Sequence, residues 1–244
     1  MSDLRIDEAA VRWSVGGAPT HAQNALDALA ERPLLVLMHG YGSFEGDLIE
    51  LAPHLPHDFV CASPRAPLVA PPPIVNGYSW FPIPLGPDGM PAPLPIGGAF
   101  VGSAPHLAAE ATLAWLDALS ERVAGGLGDV ALMGFSQGGA MVTSLLRLRP
   151  ERFFCGVNCS GFVAPGAFPG DDRLAEVRPP VFWGRDEADP IVRSDRIELT
   201  TSWLPRHSEL EAHLYPGIAH SISREELDDI SAFLARHLAE RARP

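Results

Sequence analysis

The sequence contains no lysine. All 18 of its basic residues are arginine, against 30 acidic residues, and the formal net charge is −12. An acidic surface repels nucleic acid and anionic membranes, so the composition argues against both as partners. Cysteine is also scarce: Cys61, Cys155 and Cys159 lie in apolar runs, and they have neither the number nor the spacing for a disulfide framework or a zinc site. We therefore predict no structural metal.

Long hydrophobic runs are absent as well. No stretch approaches the roughly 18 apolar residues that a membrane span needs. The segment 1–8 is charged and lacks the apolar centre of a secretory signal, so we expect a cytoplasmic protein. The length of 244 residues suits one large or two small domains, and 46% hydrophobic residues suffice for a substantial core. We predict a single domain over residues 1–244.

Short apolar runs alternate with amphipathic helical patterns along the chain. Runs that are apolar on both faces are typical of buried parallel strands, and their alternation with helices predicts a doubly wound α/β sheet. Ser103 is a plausible N-cap for the first of the helices. The predicted strands are residues 34–38, 59–62, 130–133, 154–158, 181–183 and 210–215, and the predicted helices are residues 105–123, 141–148 and 225–238.

A proline-rich segment interrupts this alternation. Residues 64–95 contain eleven prolines together with Tyr78, Trp80 and Phe81. Such a segment can form neither a helix nor a central strand. Long irregular segments inside compact domains are usually functional or linkers, and a linker would be poor in aromatic residues. We therefore predict a loop packed over the edge of the sheet, beside the functional site.

The strongest chemical signal is the pentapeptide GFSQG at residues 134–138. It follows an apolar run and precedes a helical pattern, which is the context of a nucleophile elbow. Ser136 would occupy the tight turn, and the flanking glycines would allow the backbones to approach closely. The alternative is a glycine-rich turn with a bystander serine. The setting between a strand and a helix favours Ser136 as a nucleophile.

A serine nucleophile needs a base to accept its proton. In proteins with a nucleophile elbow the base follows the last strand of the sheet. Of the nine histidines, His220 lies at this place, after the last predicted strand and before the terminal helix. His207 and His213 are the competitors, but His213 falls within a predicted strand and His207 before it. We therefore predict His220 as the base.

The acid that orients the base should lie between the serine and the histidine in chain order. Asp186, Glu187 and Asp189 all follow the predicted strand 181–183. We predict Asp189, which precedes Pro190, with Asp186 as the alternative. The other acidic residues of this loop would then face solvent.

Acyl transfer also requires donors for the developing oxyanion. The backbone N–H of Gln137, directly after the serine, is the first candidate. The second should come from the turn that follows an early strand, and the sequence HGYG at residues 39–42 ends such a strand. We assign Tyr41 N–H, with Gly40 and Gly42 as alternatives. A glycine turn without a catalytic part is the competing interpretation.

Four segments together form the pattern of a known family. HGYG at 39–42, GFSQGG at 134–139, DPIV at 189–192 and GIAH at 217–220 resemble the phospholipase/carboxylesterase family, which includes the acyl-protein thioesterases. SPRAP at 63–67 and SWF at 79–81 resemble segments of its bacterial members. The resemblance extends over about residues 34 to 238, and GFSQGG is its most specific part.

The resemblance implies an α/β-hydrolase fold without a large cap domain, with a mostly parallel central sheet and helices on both faces. It implies broad esterase activity and no cofactor. Ser136, Asp189 and His220 match the family's triad, and Tyr41 and Gln137 match its oxyanion donors. Two departures adjoin the acyl pocket: the loop between Gly184 and the acid is longer than in thioesterase members, and so is the proline-rich segment.

The sequence thus favours a carboxylesterase that acts through an acyl-enzyme on a small-molecule ester or thioester, and a homodimer is compatible with it. Trp80, Phe81 and Phe162 would line the apolar pocket, although ordinary core packing explains such residues equally well. A thioesterase or lysophospholipase would use the same residues. A dienelactone hydrolase would need a cysteine in place of Ser136. A binding module without turnover is the rival from another class.

Overall fold

Strands of the central sheet account for all six of the predicted apolar runs. The computed structural model describes residues 4–86, 91–93 and 98–241. Its strands within these ranges are β1 (Arg12–Val15), β2 (Ala18–Thr20), β3 (Leu34–Met38), β4 (Val60–Ser63), β5 (Leu68–Val69), β6 (Tyr78–Ser79), β7 (Val130–Phe135), β8 (Cys155–Cys159), β9 (Pro180–Arg185) and β10 (Glu209–Leu214).

The main sheet has eight strands in the order β10-β9-β8-β7-β3-β4-β1-β2. The six strands from β10 to β4 are parallel, whereas β1 and β2 add an antiparallel edge. In a parallel sheet all carboxyl ends lie at one edge, and the loops that follow them meet there. The loops after β3, β7, β9 and β10 carry the residues that the sequence predicted for chemistry.

Helices cover both faces of this sheet. Alternate residues of β3 enter two hydrophobic clusters: Leu34, Val36 and Met38 pack with α1 to α5 on one face, and Leu35 and Leu37 pack with α6 on the other. None of the helices in the described ranges is both long and apolar enough to cross a membrane. The helices are α1 (Ala22–Leu29), α2 (Ala104–Arg122), α3 (Gln137–Leu148), α4 (Asp171–Val177), α5 (Ser194–His207) and α6 (Arg224–Arg241).

The predicted sheet and its flanking helices are confirmed. All six predicted runs are strands of the parallel part, with ends shifted by up to two residues. The side chain of Ser103 accepts a hydrogen bond from His106 N, as expected of an N-cap. Helix α3 begins at Gln137, four residues before the predicted start. Its first turn contains two glycines and no apolar periodicity, so the sequence pattern did not reveal it. The strands β1 and β2 and the helices α1, α4 and α5 were not predicted.

The proline-rich segment forms a small sheet of its own beside the loop after β3. β5 pairs with β6 in antiparallel register. Gly42 N donates to Tyr78 O at 2.8 Å, and Tyr78 N donates to Ser43 O at 2.7 Å, so the segment is tied to the predicted oxyanion turn. The part at 87–90 and 94–95 lies outside the described residues. The described part is positioned beside the site, as predicted.

Candidate active site

Ser136 occupies a strained turn between β7 and α3. Its backbone has φ 53° and ψ −111°, a conformation that a residue with a Cβ adopts only under constraint. A Cβ on Gly134 would lie 2.1 Å from Gly138 O, and one on Gly138 would lie 1.8 Å from Met38 O. Only glycine fits at either position, which explains the spacing of the GFSQG sequence. The turn therefore has the geometry of a nucleophile elbow.

The structure brings the serine together with the predicted histidine and aspartate. His220 Nε2 lies 2.9 Å from Ser136 Oγ, and His220 Nδ1 lies 2.7 Å from Asp189 Oδ2. Both are hydrogen-bond distances. Phe135 packs against the imidazole, with the ring centroids 4.8 Å apart. Three residues from loops after β7, β9 and β10 thus form one continuous hydrogen-bonded chain.

Asp189 is held in its position by backbone donors. Its side chain is 1% exposed, and its Oδ1 accepts hydrogen bonds from Ile191 N at 2.8 Å and Val192 N at 3.0 Å. Burial acts to raise the pKa of this carboxyl, but the hydrogen bonds from His220, Val192 and Ile191 outweigh it and hold the pKa below its ordinary value. The carboxylate therefore remains ionised and can stabilise a protonated imidazole.

Asp186, the alternative acid, has a different position. It is 3% exposed, so the expectation that the other acidic residues of this loop face solvent is wrong for it. Its Oδ1 accepts from Ala188 N, and its Oδ2 accepts from Ala219 N at 2.7 Å. These N–H groups lower the pKa of Asp186. Since Ala219 has a left-handed φ of 55° and precedes His220, Asp186 stabilises the turn that carries the histidine.

The predicted oxyanion turn lies against the serine. A Cβ on Gly40 would be 3.6 Å from Ser136 Cβ, and Tyr41 lines the pocket that contains Ser136. Gln137 is the first residue of α3, so its N–H has no acceptor within the helix. The segment 40–41 and the N-terminus of α3 therefore both adjoin the serine, and the assignment of the Tyr41 and Gln137 N–H groups as oxyanion donors stays a prediction.

A buried network fixes this turn, and the sequence did not reveal it. The Gln137 side chain accepts from Trp80 N at 2.9 Å and donates to Phe81 O at 2.6 Å. The Trp80 indole N–H donates to His39 O at 2.9 Å, and His39 Nε2 accepts from Ala66 N at 3.1 Å. Burial lowers the pKa of His39, so the imidazole stays neutral and keeps its acceptor. These bonds join the proline-rich segment to β3 and α3.

The candidate substrate site is a cavity of about 460 Å³ beside Ser136. Of the three aromatic residues predicted to line it, Phe162 does so. Trp80 and Phe81 do not: they are 0% and 5% exposed and belong to the hydrophobic core. The sequence identified their segment correctly, but both rings pack into the hydrophobic core and not against the cavity. The walls come instead from smaller apolar residues, including Ile74, Ile83, Leu85, Ile191 and Val192.

Arg196, on the first turn of α5, is a charged residue among the mostly apolar described residues that line the pocket, and the sequence analysis did not predict it there. It is 9% exposed, and its guanidinium carbon lies 4.7 Å from the centre of the Phe162 ring. Burial lowers its pKa. Nothing in the local sequence distinguished it from the other arginines, because its position depends on how α5 packs beside the loop that contains Asp189.

The competing histidines are engaged elsewhere. His207 Nδ1 is 2.7 Å from Trp203 O at the end of α5. His213 stacks on Phe182 and lies 3.2 Å from Glu211 on β10. Within residues 4–86, 91–93 and 98–241, no cluster of histidine, cysteine and acidic side chains has the arrangement of a metal site.

Comparison with protein families gives a match to the phospholipase/carboxylesterase model over residues 117–238, half of the chain. A probable carboxylesterase of Oryza sativa subsp. japonica is 30% identical over 45% of this chain and 42% of that protein. Acyl-protein thioesterase 1 of Debaryomyces hansenii is 33% identical over 43% of this chain and 47% of that protein. The chain thus spans just under half the length of the curated relatives that it matches.

Solved structures show the same fold over most of the chain. Esterase PE8 is 26% identical and superposes with a TM-score of 0.66 over 86% of this chain and 95% of that one. The Bacillus cereus carboxylesterase is 17% identical, with a TM-score of 0.68 over 93% of both chains, and this likeness concerns the fold alone. The sheet and helices therefore form an α/β-hydrolase fold, and no large cap domain is evident in the described residues.

Proposed function

The chain belongs to the phospholipase/carboxylesterase family, and we propose that it hydrolyses carboxylic esters through an acyl-enzyme formed on Ser136. The observation that carries the proposal is the unbroken chain of hydrogen bonds from Ser136 Oγ through His220 to Asp189, located at the mouth of an apolar cavity. The family and its relatives support hydrolysis, and the geometry supports this assignment of the roles.

In the proposed reaction, His220 Nε2 accepts the proton of the Ser136 hydroxyl as its oxygen attacks the ester carbonyl. The N–H groups of Tyr41 and Gln137 donate to the oxyanion. The Asp189 carboxylate accepts from His220 Nδ1–H and stabilises the imidazolium. The imidazolium then protonates the leaving alcohol, and a water activated by His220 releases the acid.

A thioesterase is the second candidate, because the Debaryomyces hansenii relative carries that name. A thioester would pass through the same acyl-enzyme with a thiol as the leaving group. The two candidates therefore differ in the substrate and not in the residues. Parallel assays on an oxygen ester and a thioester of the same acyl chain would separate them.

The test is hydrolysis of p-nitrophenyl esters from acetate to dodecanoate by the wild type and by Ser136→Ala. We expect kcat to fall by roughly 10⁴ to 10⁶ in the variant, as for other triad nucleophiles. Ser202→Ala, at an exposed position on α5, is the matched control and should keep wild-type rates. Equal activity of wild type and Ser136→Ala would show that the nucleophile is wrongly assigned. Inactivity of the wild type on every ester and thioester would favour a binding module.

A further inference from the structure

The substrate pocket contains a buried cation with unfilled hydrogen-bonding capacity. Among its described lining residues Arg196 is the only arginine, and none is acidic. Within the described residues, the Arg196 side chain donates one long hydrogen bond, from Nη2 to Ala92 O at 3.4 Å, and its buried Nε has no hydrogen-bond partner. The Asp195 carboxylate attracts it electrostatically and pairs with Arg193, and no salt bridge joins Arg196 to an acidic side chain in the part of the chain that the structure describes. Among residues 4–86, 91–93 and 98–241, most of its five donors therefore find no acceptor.

Arg147 shows how this fold treats an arginine that serves structure alone. Its guanidinium forms a bidentate pair with Asp171, with both distances 2.7 Å, and donates to the carbonyl oxygens of Ala164 and Gly166. Taking a charge out of water without such partners is costly. Arg196 is nearly as buried, but no described residue gives it this compensation, and it lines the cavity beside Ser136.

We infer that Arg196 binds an anionic group of the substrate, so that the preferred esters carry a carboxylate on their acyl or alcohol part. The inference rests on the proposed function, because it places the anion in the same pocket as the reacting ester. The planar guanidinium fork matches a carboxylate in bidentate geometry. The Phe162 ring, with its centre 4.7 Å from the guanidinium carbon, restrains the guanidinium beside the cavity. The apolar walls would enclose the carbon chain between the ester and the anion.

Binding of an inert carboxylate tests the site without any turnover. Calorimetric titration would compare phenylbutyrate with phenylbutyramide, which has the same shape and no charge. We expect the carboxylate to bind the wild type at least about tenfold more tightly, as a charge-assisted hydrogen bond in a buried site allows. Arg196→Gln should abolish the difference, and Arg196→Lys should retain part of it. Arg206→Gln, which removes an exposed charge from the other end of α5, should leave the difference unchanged.

Kinetics show which half of the ester carries the anion. One pair compares monomethyl adipate with its monoamide, and the other compares acetoxybutyrate with acetoxybutyramide. In one of the two pairs we expect the wild type to have a higher kcat/KM for the carboxylate substrate than for its amide. This preference should fall roughly 10- to 100-fold in Arg196→Gln, mainly because KM for the carboxylate substrate rises. The Arg206→Gln control should preserve the ratio.

The inference is overturned if the wild type binds the carboxylate no more tightly than the amide, or if the preference survives Arg196→Gln in a folded protein. If Arg196→Gln fails to fold, Arg196→Lys and the wild-type titration still decide the matter. Hydrolysis of neutral esters without an anion preference would leave the proposed function intact and overturn the inference alone. Anion binding without hydrolysis of any ester would leave the anion site intact and overturn the proposed function.

Discussion

Two regions of the molecule use the same residue types in opposite ways. At the candidate active site, Asp189 directs one oxygen at His220, and Arg196 lines the cavity beside Ser136. In the supporting frame, Asp186 accepts backbone N–H groups through both oxygens, and Arg147 donates to Asp171 and two carbonyl groups. All four side chains are largely buried, so burial alone does not distinguish a functional residue from a structural one.

The two kinds of residue differ in the groups that complete the hydrogen bonds of their side chains. A frame residue is satisfied by the chain itself, so its removal leaves other buried groups unpaired and lowers the free energy of unfolding. A site residue also acts on the reacting groups or the cavity: Asp189 accepts two backbone N–H groups and in addition orients His220, so its removal affects the reaction as well as the fold. Three sets of substitutions test this contrast, in order of decreasing expected effect.

The two aspartates of the loop after β9 provide the largest effect. In Asp189→Asn the histidine loses the acceptor that sets its tautomer and stabilises its charge, and we expect kcat to fall by about 10⁴. In Asp186→Asn we expect the free energy of unfolding to fall by about 1–3 kcal/mol, since a carboxylate that accepts two backbone N–H groups is lost. Ester kinetics and urea denaturation of both variants measure the contrast. A larger loss of kcat in Asp186→Asn would reverse the assignment of the acid.

The two buried arginines come next. Arg147→Met would leave Asp171 and two carbonyl oxygens without their donor, and we expect a loss of about 3–5 kcal/mol in the free energy of unfolding. Arg196→Met removes a charge that lacks an ion-pair partner in the described residues, and we expect a change within about 1 kcal/mol, or a gain. Urea denaturation at neutral pH compares them. If both substitutions lowered the free energy of unfolding equally, Arg196 would stabilise the fold as Arg147 does.

Glu226 is the frame residue that departs from the pattern. It is fully buried on the first turn of α6, and neither carboxylate oxygen has a hydrogen-bond partner of good geometry in the described part of the chain. Burial raises its pKa to about 7. The folded state then holds this proton more tightly than the unfolded state, where the pKa is near 4.5. Stability from this residue is therefore present below pH 4.5 and declines as the pH rises to about 7.

Glu226→Gln removes this titration. We expect the variant to lose the decline in stability between pH 4.5 and 7 and to gain up to about 3 kcal/mol over the wild type above that range. Urea denaturation at a series of pH values, with the exposed substitution Glu225→Gln as control, measures it. An unchanged pH profile would show that Glu226 is stabilised by contacts beyond those described.

Local patterns in the sequence determined the sheet and the order of the reacting residues. Apolar runs of strand length predict buried parallel strands wherever they occur. GFSQG predicts its turn because only glycine fits at the two close approaches on either side of Ser136. His220 and Asp189 were predictable because loops after parallel strands meet at one edge of the sheet. The antiparallel strands β1 and β2 have no comparable apolar run, so the pattern did not reveal them.

Tertiary packing decided what depends on distances between remote segments. Both Asp186 and Asp189 follow β9, and only the position of the 217–220 turn directs one to His220 and the other to Ala219. The inward orientation of Trp80 depends on Gln137 and His39, which are far away in the chain. Arg196 reaches the pocket because α5 packs beside Phe162. The sequence determined which groups are available for chemistry, and the packed structure decided which of them keep free hydrogen-bonding capacity, because that depends on every neighbour in space.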